Sequence, residues 1–425
     1  MYKQVTFEIS GKCNALCPWC YTGKKNRQST FQGEFITPSV FEKAINYMFD
    51  NKIIDKSSFI HLYNWGEPFL NPYFKDIISI LNKYEIKYGL STNASVLIDF
   101  TEEEVLRNLS YITFSMPGFS QKSYEKIHGF NFEKIKKNIL TIVNNFRECG
   151  FKGEAQISYH VYQFNLDEVE NAYKFACKNN MKLYPVYAYI ADHNMLKKYL
   201  KSEFNYPEIK KASEELFLFY LDDKVNEKPD HYQCPQFQML TIDEHCNIIL
   251  CCSVGKECDD YSLGSLFNLS QSQIQELKLT REICNECDQL GINYLIHNTQ
   301  RITNYQYKLQ YTKLILQNLF SDSVGKSIGI YGTGNHTDKL LAMYKELVGA
   351  FDCNLFFFDP SEEKWGKSYH SSSISSPQDM DKYNLDRVII SSYTFQEEIY
   401  NRIKNIESLG IKVIKIYNEN DAILF

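Results

Sequence analysis

The chain has 425 residues, 44% of them hydrophobic and 15% aromatic, which is enough for two or three cored domains and argues against wholesale disorder. A net charge of −6 supplies no global basic field for nucleic acid, and no run of about 18 apolar residues offers a membrane span. The opening MYKQVTFEISGK lacks the apolar stretch of a signal peptide, so the thirteen cysteines point to metal in a reducing, cytoplasmic compartment rather than to disulfides.

Residues 4–10 predict a strand that delivers a loop carrying Cys13, Cys17 and Cys20. The CxxxCxxC spacing suits three corners of a [4Fe–4S] cube and leaves the fourth iron open to chelate the amino and carboxylate groups of a small molecule. A zinc site wants four ligands, and no histidine lies between Cys20 and His61. A redox CxxC would need only Cys17 and Cys20. The pattern resembles the radical S-adenosylmethionine (SAM) superfamily. That resemblance implies reductive cleavage of SAM, with flavodoxin or ferredoxin as electron donor, to a 5′-deoxyadenosyl radical that takes hydrogen from a substrate. It also implies that Trp19 packs near the adenine.

A helix is predicted from Thr37 as N-cap, with Pro38 at its first position. Strands follow at 58–63, 86–90, 111–115, 155–161 and 183–189. Helical patterns lie between them, one opening at the capping box Thr101–Glu104 and another running from Leu166 to Lys178. Six strands alternating with helices predict a parallel α/β sheet, and the family resemblance implies a partial (β/α)6 TIM-type barrel with its chemistry at the strand C-termini.

Trp65-Gly66-Glu67-Pro68 ends the second strand. It resembles the Gly-Glu-Pro stretch that lies along the methionine of SAM in this family, with Glu67 or the backbone accepting from the ammonium. Trp65 stands where the common pattern has a first glycine. Ser91-Thr92-Asn93, Ser115 and Asn165 resemble the polar strand-end groups used around the ribose and carboxylate, and each also reads as a loop cap. Tyr63, Tyr159, Tyr187 and Tyr189 are candidates to line a substrate cavity. No residue is singled out as the catalytic acid, base or hydrogen donor.

From Cys234 the texture changes. Cys234, then Cys251-Cys252, then Cys284-Asn-Glu-Cys287 resembles the SPASM/twitch extension, which implies an auxiliary [4Fe–4S] cluster on Cys234, Cys251, Cys284 and Cys287, with Cys252 the alternative to Cys251. Cys246 replaces the family's glycine before the paired cysteines. Cys246 and Cys258 are further ligand candidates, and a zinc ribbon is the competing account of the same cysteines.

A polar, tyrosine-rich helical linker leads to a second α/β unit. Its strands are predicted at 328–331, 353–358, 387–391 and 411–416, and its first turn is Gly332-Thr-Gly334, with Asp359 ending the next strand. The third glycine of GxGxxG is replaced by Thr337. This segment resembles a Rossmann-like domain of sugar C-methyltransferases, which implies a nucleotide or nucleotide-sugar held by Gly332, Gly334 and Asp359. The expected domains are 1–225 (partial barrel), 226–298 (SPASM/twitch), 299–325 (helical linker) and 326–425 (Rossmann-like).

Together these features predict a radical SAM enzyme acting on a sugar or nucleotide-sugar-type small molecule by dehydrogenation, epimerisation or dehydration, in polysaccharide or secondary-metabolite biosynthesis. A peptide-modifying SPASM enzyme is the alternative, and a non-catalytic iron–sulfur scaffold the third reading.

Overall fold

The computed structural model describes residues 1–30, 33–103, 105–298 and 304–417, apart from the side chains of 304–308. It divides into two compact units, Met1–Ile302 and Thr303–Phe425.

The first unit is built on six parallel strands in chain order: β1 (Gln4–Phe7), β2 (Phe59–His61), β3 (Lys87–Thr92), β4 (Leu109–Met116), β5 (Glu154–Val161) and β6 (Lys182–Tyr187). Side chains such as Val5, Ile60, Leu90, Phe114 and Ile157 have no exposed surface, as expected for strands covered on both faces. This is the parallel sheet the alternation predicts and the partial barrel the resemblance implies. Its first crossover helix, Pro38–Asp50, starts where expected, with extended Thr37 ahead of Pro38, although the Thr37 side chain makes no capping bond.

The capping box at Thr101 opens no helix: residues 103 and 105–108 form turns, and Glu104 lies outside the described residues. Tertiary contacts decide the matter. Leu106 is fully buried, its N–H is spent on the Cys149 carbonyl, and the Val105 carbonyl accepts from Asn82.

The cysteine-rich extension does not form a separate unit. Its first strand, β7 (Met239–Ile242), lies parallel to β1, Gln4 opposite Met239 and Phe7 opposite Ile242, and β8 (Asn247–Ile249) and β9 (Ser262–Ser265) continue the same nine-stranded sheet antiparallel. The sequence boundary at 225/226 therefore falls inside one unit. Cys246 adopts φ 61° in the β7–β8 turn, so the turn keeps the left-handed backbone a glycine would favour. The Asp243 carboxylate holds it by accepting from the N–H groups of His245 and Asn247.

The second unit centres on β10 (Ser327–Tyr331), flanked by β11 (Asn354–Phe358) and β14 (Arg387–Ile390), with β15 (Lys412–Lys415) beyond β14. Beyond β11 lies β13 (Ser372–Ser375), which pairs antiparallel with the short edge strand β12 (Ser368–Tyr369). Apart from that edge the order is doubly wound. The serine-rich stretch 372–375 supplies β13, which is not among the strands expected from the sequence, pinned by buried Ile374. The linker helix, Asn304–Leu319, belongs to this unit. Leu316, Leu319 and Phe320 join Ile328, Ile330 and Phe357 in one apolar cluster, and residues 299–303 lie outside the described set.

Candidate active site

The cysteine loop leaves the C-terminal end of β1. It is shaped by Asn26, whose Nδ2 donates to the carbonyls of Cys13 and Ala15 at 2.8 Å each, and by Asn93, whose Nδ2 lies 3.8 Å from the Cys13 sulfur. Burial pushes the Cys13 thiol up to about 12, with the Glu67 carboxylate adding to it, and pushes Cys17 and Cys20 up as well. Three half-buried thiols raised in this way keep their protons unless a strong cation sits among them. A positively charged iron–sulfur core meets that demand, so the donor set fits the group.

The turn at 65–68 packs under this loop. Gly66 has no room for a side chain: a Cβ there would lie 1.6 Å from the Ser10 carbonyl oxygen. The turn is held from both sides by buried carboxylates. Glu8, in the strand exit before the cysteines, accepts from the N–H groups of Trp65 at 2.8 Å and Gly66 at 2.5 Å. Burial pushes its carboxyl up to about 8, and Glu244 adds to the shift. Glu67 accepts from the Thr92 hydroxyl at 2.7 Å, the Asn93 N–H at 2.7 Å and the Phe69 N–H at 3.1 Å, just ahead of the 3₁₀ turn that Pro68 opens. It is 3% exposed, and burial pushes it up to about 7.

Glu67 is thus the knot that ties the β2 turn to the end of β3. Of a carboxylate's roughly four lone-pair positions, three are spent inside the fold. Glu8 was missed by sequence reasoning. Its signal was a lone acidic residue in an apolar strand exit, five positions before the first cysteine.

Of the other predicted SAM contacts, Ser91 and Ser115 are part-exposed strand residues, and Asn93 bridges to Asn14 at 3.0 Å. Two are committed elsewhere. Trp19 is 3% exposed, its Nε1 donates to Glu215 at 2.9 Å and Lys211 lies over its ring, which leaves no open face for adenine. Asn165 is fully buried. Its amide donates to the carbonyls of Pro117 and His160 and accepts from the Tyr162 N–H, so it clamps loops, with both donors used and no exposed surface to offer a ribose.

Next to the 65–68 turn a cavity of ≈ 360 Å³ opens between the barrel and the extension, lined by Thr6, His61, Tyr63, Trp65, Tyr189 and Cys252 among others. Burial pushes the Tyr189 hydroxyl up, with Cys252 and Cys20 both adding to the shift, which places this wall within electrostatic reach of both cysteine groups. Tyr63 and Tyr189 line the cavity as expected. Tyr159 is buried with its hydroxyl on the Asn165 carbonyl, and Tyr187 packs among Phe217, Phe219 and Tyr220.

A larger cavity of ≈ 700 Å³ gathers Cys234, Cys251, Cys284 and Cys287, together with Lys278. Cys284 and Cys287 stand one helical turn apart on the helix Glu282–Gln289. Cys252 is not among its lining; it faces the smaller cavity instead, with Gln236 Nε2 3.4 Å from its sulfur. Cys258 and Cys246 line neither. Among the described residues no three Cys, His, Asp or Glu side chains converge on one ion.

Residues 7–176 match the Radical SAM superfamily model, and residues 324–416 match C2185-like, N-terminal. Residues 7–176 form a radical SAM domain. No curated relative matches the chain. Solved structures are similar at low identity, with TM-scores below 0.5. SuiB of Streptococcus suis bound to the precursor peptide SuiA is 13% identical, over 69% of this chain and 71% of that one, with a TM-score of 0.46. Native anSMEcpe with bound AdoMet is 16% identical over 68% and 88%, at 0.42, and BtrN in complex with AdoMet and 2-DOIA is 12% identical over 70% and 90%, at 0.33. The radical SAM domain takes SAM and a [4Fe–4S] cluster as its cofactors, and no helix among the described residues is long and apolar enough to cross a membrane.

Outside the radical SAM domain, the turn after β10 is shaped differently from a nucleotide cradle. Gly332 has φ 107°, a backbone suited to glycine, and Gly334 is open to solvent. Asp359, however, accepts from the Thr333 N–H and hydroxyl, the Ser361 N–H and Lys364 Nζ. A carboxylate so fully used braces the turn and is not free for a ribose.

Proposed function

We propose that the chain is a radical SAM enzyme in which Cys13, Cys17 and Cys20 hold the SAM-binding cluster, Cys234, Cys251, Cys284 and Cys287 hold an auxiliary cluster, and the substrate occupies the ≈ 360 Å³ cavity between them. One observation carries this reading: consecutive cysteines face different cavities, Cys251 the one with three further thiols and Cys252 the one beside Trp65. When bound, the SAM-binding cluster supplies the electron that converts SAM into a hydrogen-abstracting radical.

The chain's own residues do the positioning. Glu8 and Glu67 fix the 65–68 turn so that its backbone carbonyls meet the SAM ammonium, Asn93 and Ser91 border the same strand ends, and the Tyr63, Trp65 and Tyr189 rings exclude water from the substrate.

The groups in the cavity without a partner among the described residues are Asn64 Nδ2 and Trp65 Nε1 as donors and Gln236 Oε1 as acceptor, along with His297 Nε2. They call for a ligand at least as rich in acceptors as in donors. Peptide units and sugar hydroxyls both supply this, each offering one donor and two acceptor lone pairs, so a peptide is the first substrate reading to test and a sugar-type ring the second. A reduced flavodoxin or ferredoxin in the cytoplasm is the matching electron donor.

The test is anaerobic reconstitution followed by assay of 5′-deoxyadenosine from SAM, first alone and then with peptide and nucleoside-diphosphate-sugar libraries. Stimulation by peptides supports the first reading, and stimulation by sugars alone selects the second. Tight SAM binding without any 5′-deoxyadenosine would leave the scaffold reading standing.

A further inference from the structure

The helix Gln271–Leu279 carries one side chain that the mechanism above does not use. Lys278 is 1% exposed, and its Nζ donates to the backbone carbonyls of Gln236 at 2.8 Å and Met239 at 2.6 Å. It makes no ion pair among the described residues. Its side chain lines the same cavity as Cys234, Cys251, Cys284 and Cys287. Burying an ammonium with no carboxylate to answer it is expensive. It becomes reasonable when the neighbouring sulfurs are themselves negative.

We infer that Lys278 is the buried counter-charge of the auxiliary cluster and raises its reduction potential. The inference rests on the auxiliary-cluster reading given above. A four-iron cube bound by four thiolates is negatively charged overall, and reduction adds one more negative charge. A fixed, buried cation lining the same cavity therefore stabilises the reduced form more than the oxidised form.

The position has a further consequence. The carbonyls that Lys278 holds belong to Gln236 and Met239, both of which also line the substrate cavity. The charge thus sits on the strip of chain between cluster and substrate, where an electron leaving the substrate would pass. Hydrogen abstraction removes one proton and one electron together. If the second electron goes to the auxiliary cluster and the second proton to solvent, the product is oxidised by two electrons and the cluster reduced by one, to be reoxidised by a one-electron carrier protein. A raised potential favours this oxidative outcome over return of a hydrogen atom.

The experiment uses the full chain with Cys13, Cys17 and Cys20 replaced by Ala, so that only the auxiliary cluster is observed, and follows its reduction by electron paramagnetic resonance in a potentiometric titration. Lys278→Met keeps the length and removes the charge, Lys278→Gln keeps N–H donors, and Lys278→Arg keeps the charge. Both neutral variants should lower the reduced-to-oxidised ratio at the parent midpoint at least tenfold, which is a 59 mV shift for a one-electron couple, while Arg stays near the parent. Cluster assembly in Arg but not in Met or Gln would also support the counter-charge. Unchanged midpoints in Met and Gln, an Arg variant that moves with them, or loss of the cluster in all three would overturn it. Absence of any four-iron signal in the Lys278-containing parent would instead overturn the auxiliary-cluster reading itself, and the inference with it.

Discussion

Replacing Glu67 separates two ways in which a carboxylate can serve a SAM site. If it touches the SAM ammonium directly, removing its charge costs a charge-assisted bond of about 1.5–3 kcal/mol, roughly a ten- to hundred-fold loss of SAM affinity, with little effect on folding. The geometry points to the other role, since its oxygens hold the Thr92 hydroxyl and the N–H groups of Asn93 and Phe69. Glu67→Ala strands two buried backbone donors at about 1–3 kcal/mol each, a large share of the roughly 5–15 kcal/mol that keeps a domain folded. Glu67→Gln is the milder probe. Its one remaining oxygen can satisfy Asn93, its NH₂ can donate to the Thr92 hydroxyl, and the loss is then about one bond, that to Phe69. The expected result is a lowered melting temperature together with weakened SAM binding, read by differential scanning fluorimetry and calorimetric titration on cluster-loaded protein. Unchanged stability with a ten-fold or greater loss of SAM affinity would refute the positioning role. If neither quantity changed, the 65–68 turn would lie outside the SAM site.

Cys251→Ala should halve the iron of the reconstituted protein from about eight to about four atoms, whereas Cys252→Ala should leave it unchanged; equal losses would show that the two thiols share the larger cavity. Gly66→Ala, which sets a methyl against the Ser10 carbonyl, should abolish SAM cleavage, and an active, stable variant would mean that the turn relaxes freely. Glu8 gives a pH test. Its carboxyl, raised from 4.5 to about 8, keeps its proton in the folded chain at pH values where the unfolded chain has lost it. The associated stability is fully present below about pH 4.5 and is lost as the pH rises through about 8. Glu8→Gln copies the protonated acid and should flatten that part of the melting-temperature profile; an unaltered slope would assign the titration to another group. Asp359→Asn should destabilise the second unit through Thr333 and Lys364, and a variant that loses only nucleotide binding, with its melting curve intact, would restore the ribose role.

How much was legible in the sequence follows from the range of the forces involved. The six barrel strands and the strands β10, β11, β14 and β15 announce themselves through apolar runs and punctuation, which are local. The CxxxCxxC loop is legible for the same reason, since its three sulfurs are neighbours in the chain. The helix expected at Thr101 fails because its competitor is remote: Leu106 prefers the Cys149 carbonyl, a contact no capping rule sees. Strand β13 is missed for the converse reason. Serines are poor strand formers, and it is the pairing of Ile374 with Phe357 that makes the stretch extended.

Trp19, Asn165 and Asp359 carry a more particular lesson. Each has the chemistry that its predicted ligand contact requires, and each sits at the end or turn where that contact would be made. What sequence position leaves open is whether the hydrogen-bonding capacity is already used. A buried polar group is bonded to something, so the question for any candidate is which partner arrives first. Glu215 reaches Trp19, the carbonyls of Pro117 and His160 reach Asn165, and Thr333 and Lys364 reach Asp359.

The paired cysteines pose the same question in its sharpest form. Cys251 and Cys252 follow the end of β8 at Ile249, with Cys252 already in a turn, so strand alternation does not assign them and the sequence leaves both open as ligands. Which of the two turns toward Cys234, Cys284 and Cys287 depends on where the helix Glu282–Gln289 docks and on the pairing of β7 with β1. Those are long-range facts. Once they are fixed, Cys251 joins the other three thiols and Lys278, and Cys252 is left facing the cavity where the substrate is expected. The division of labour between two adjacent, chemically identical side chains is therefore set by the sheet to which they are attached.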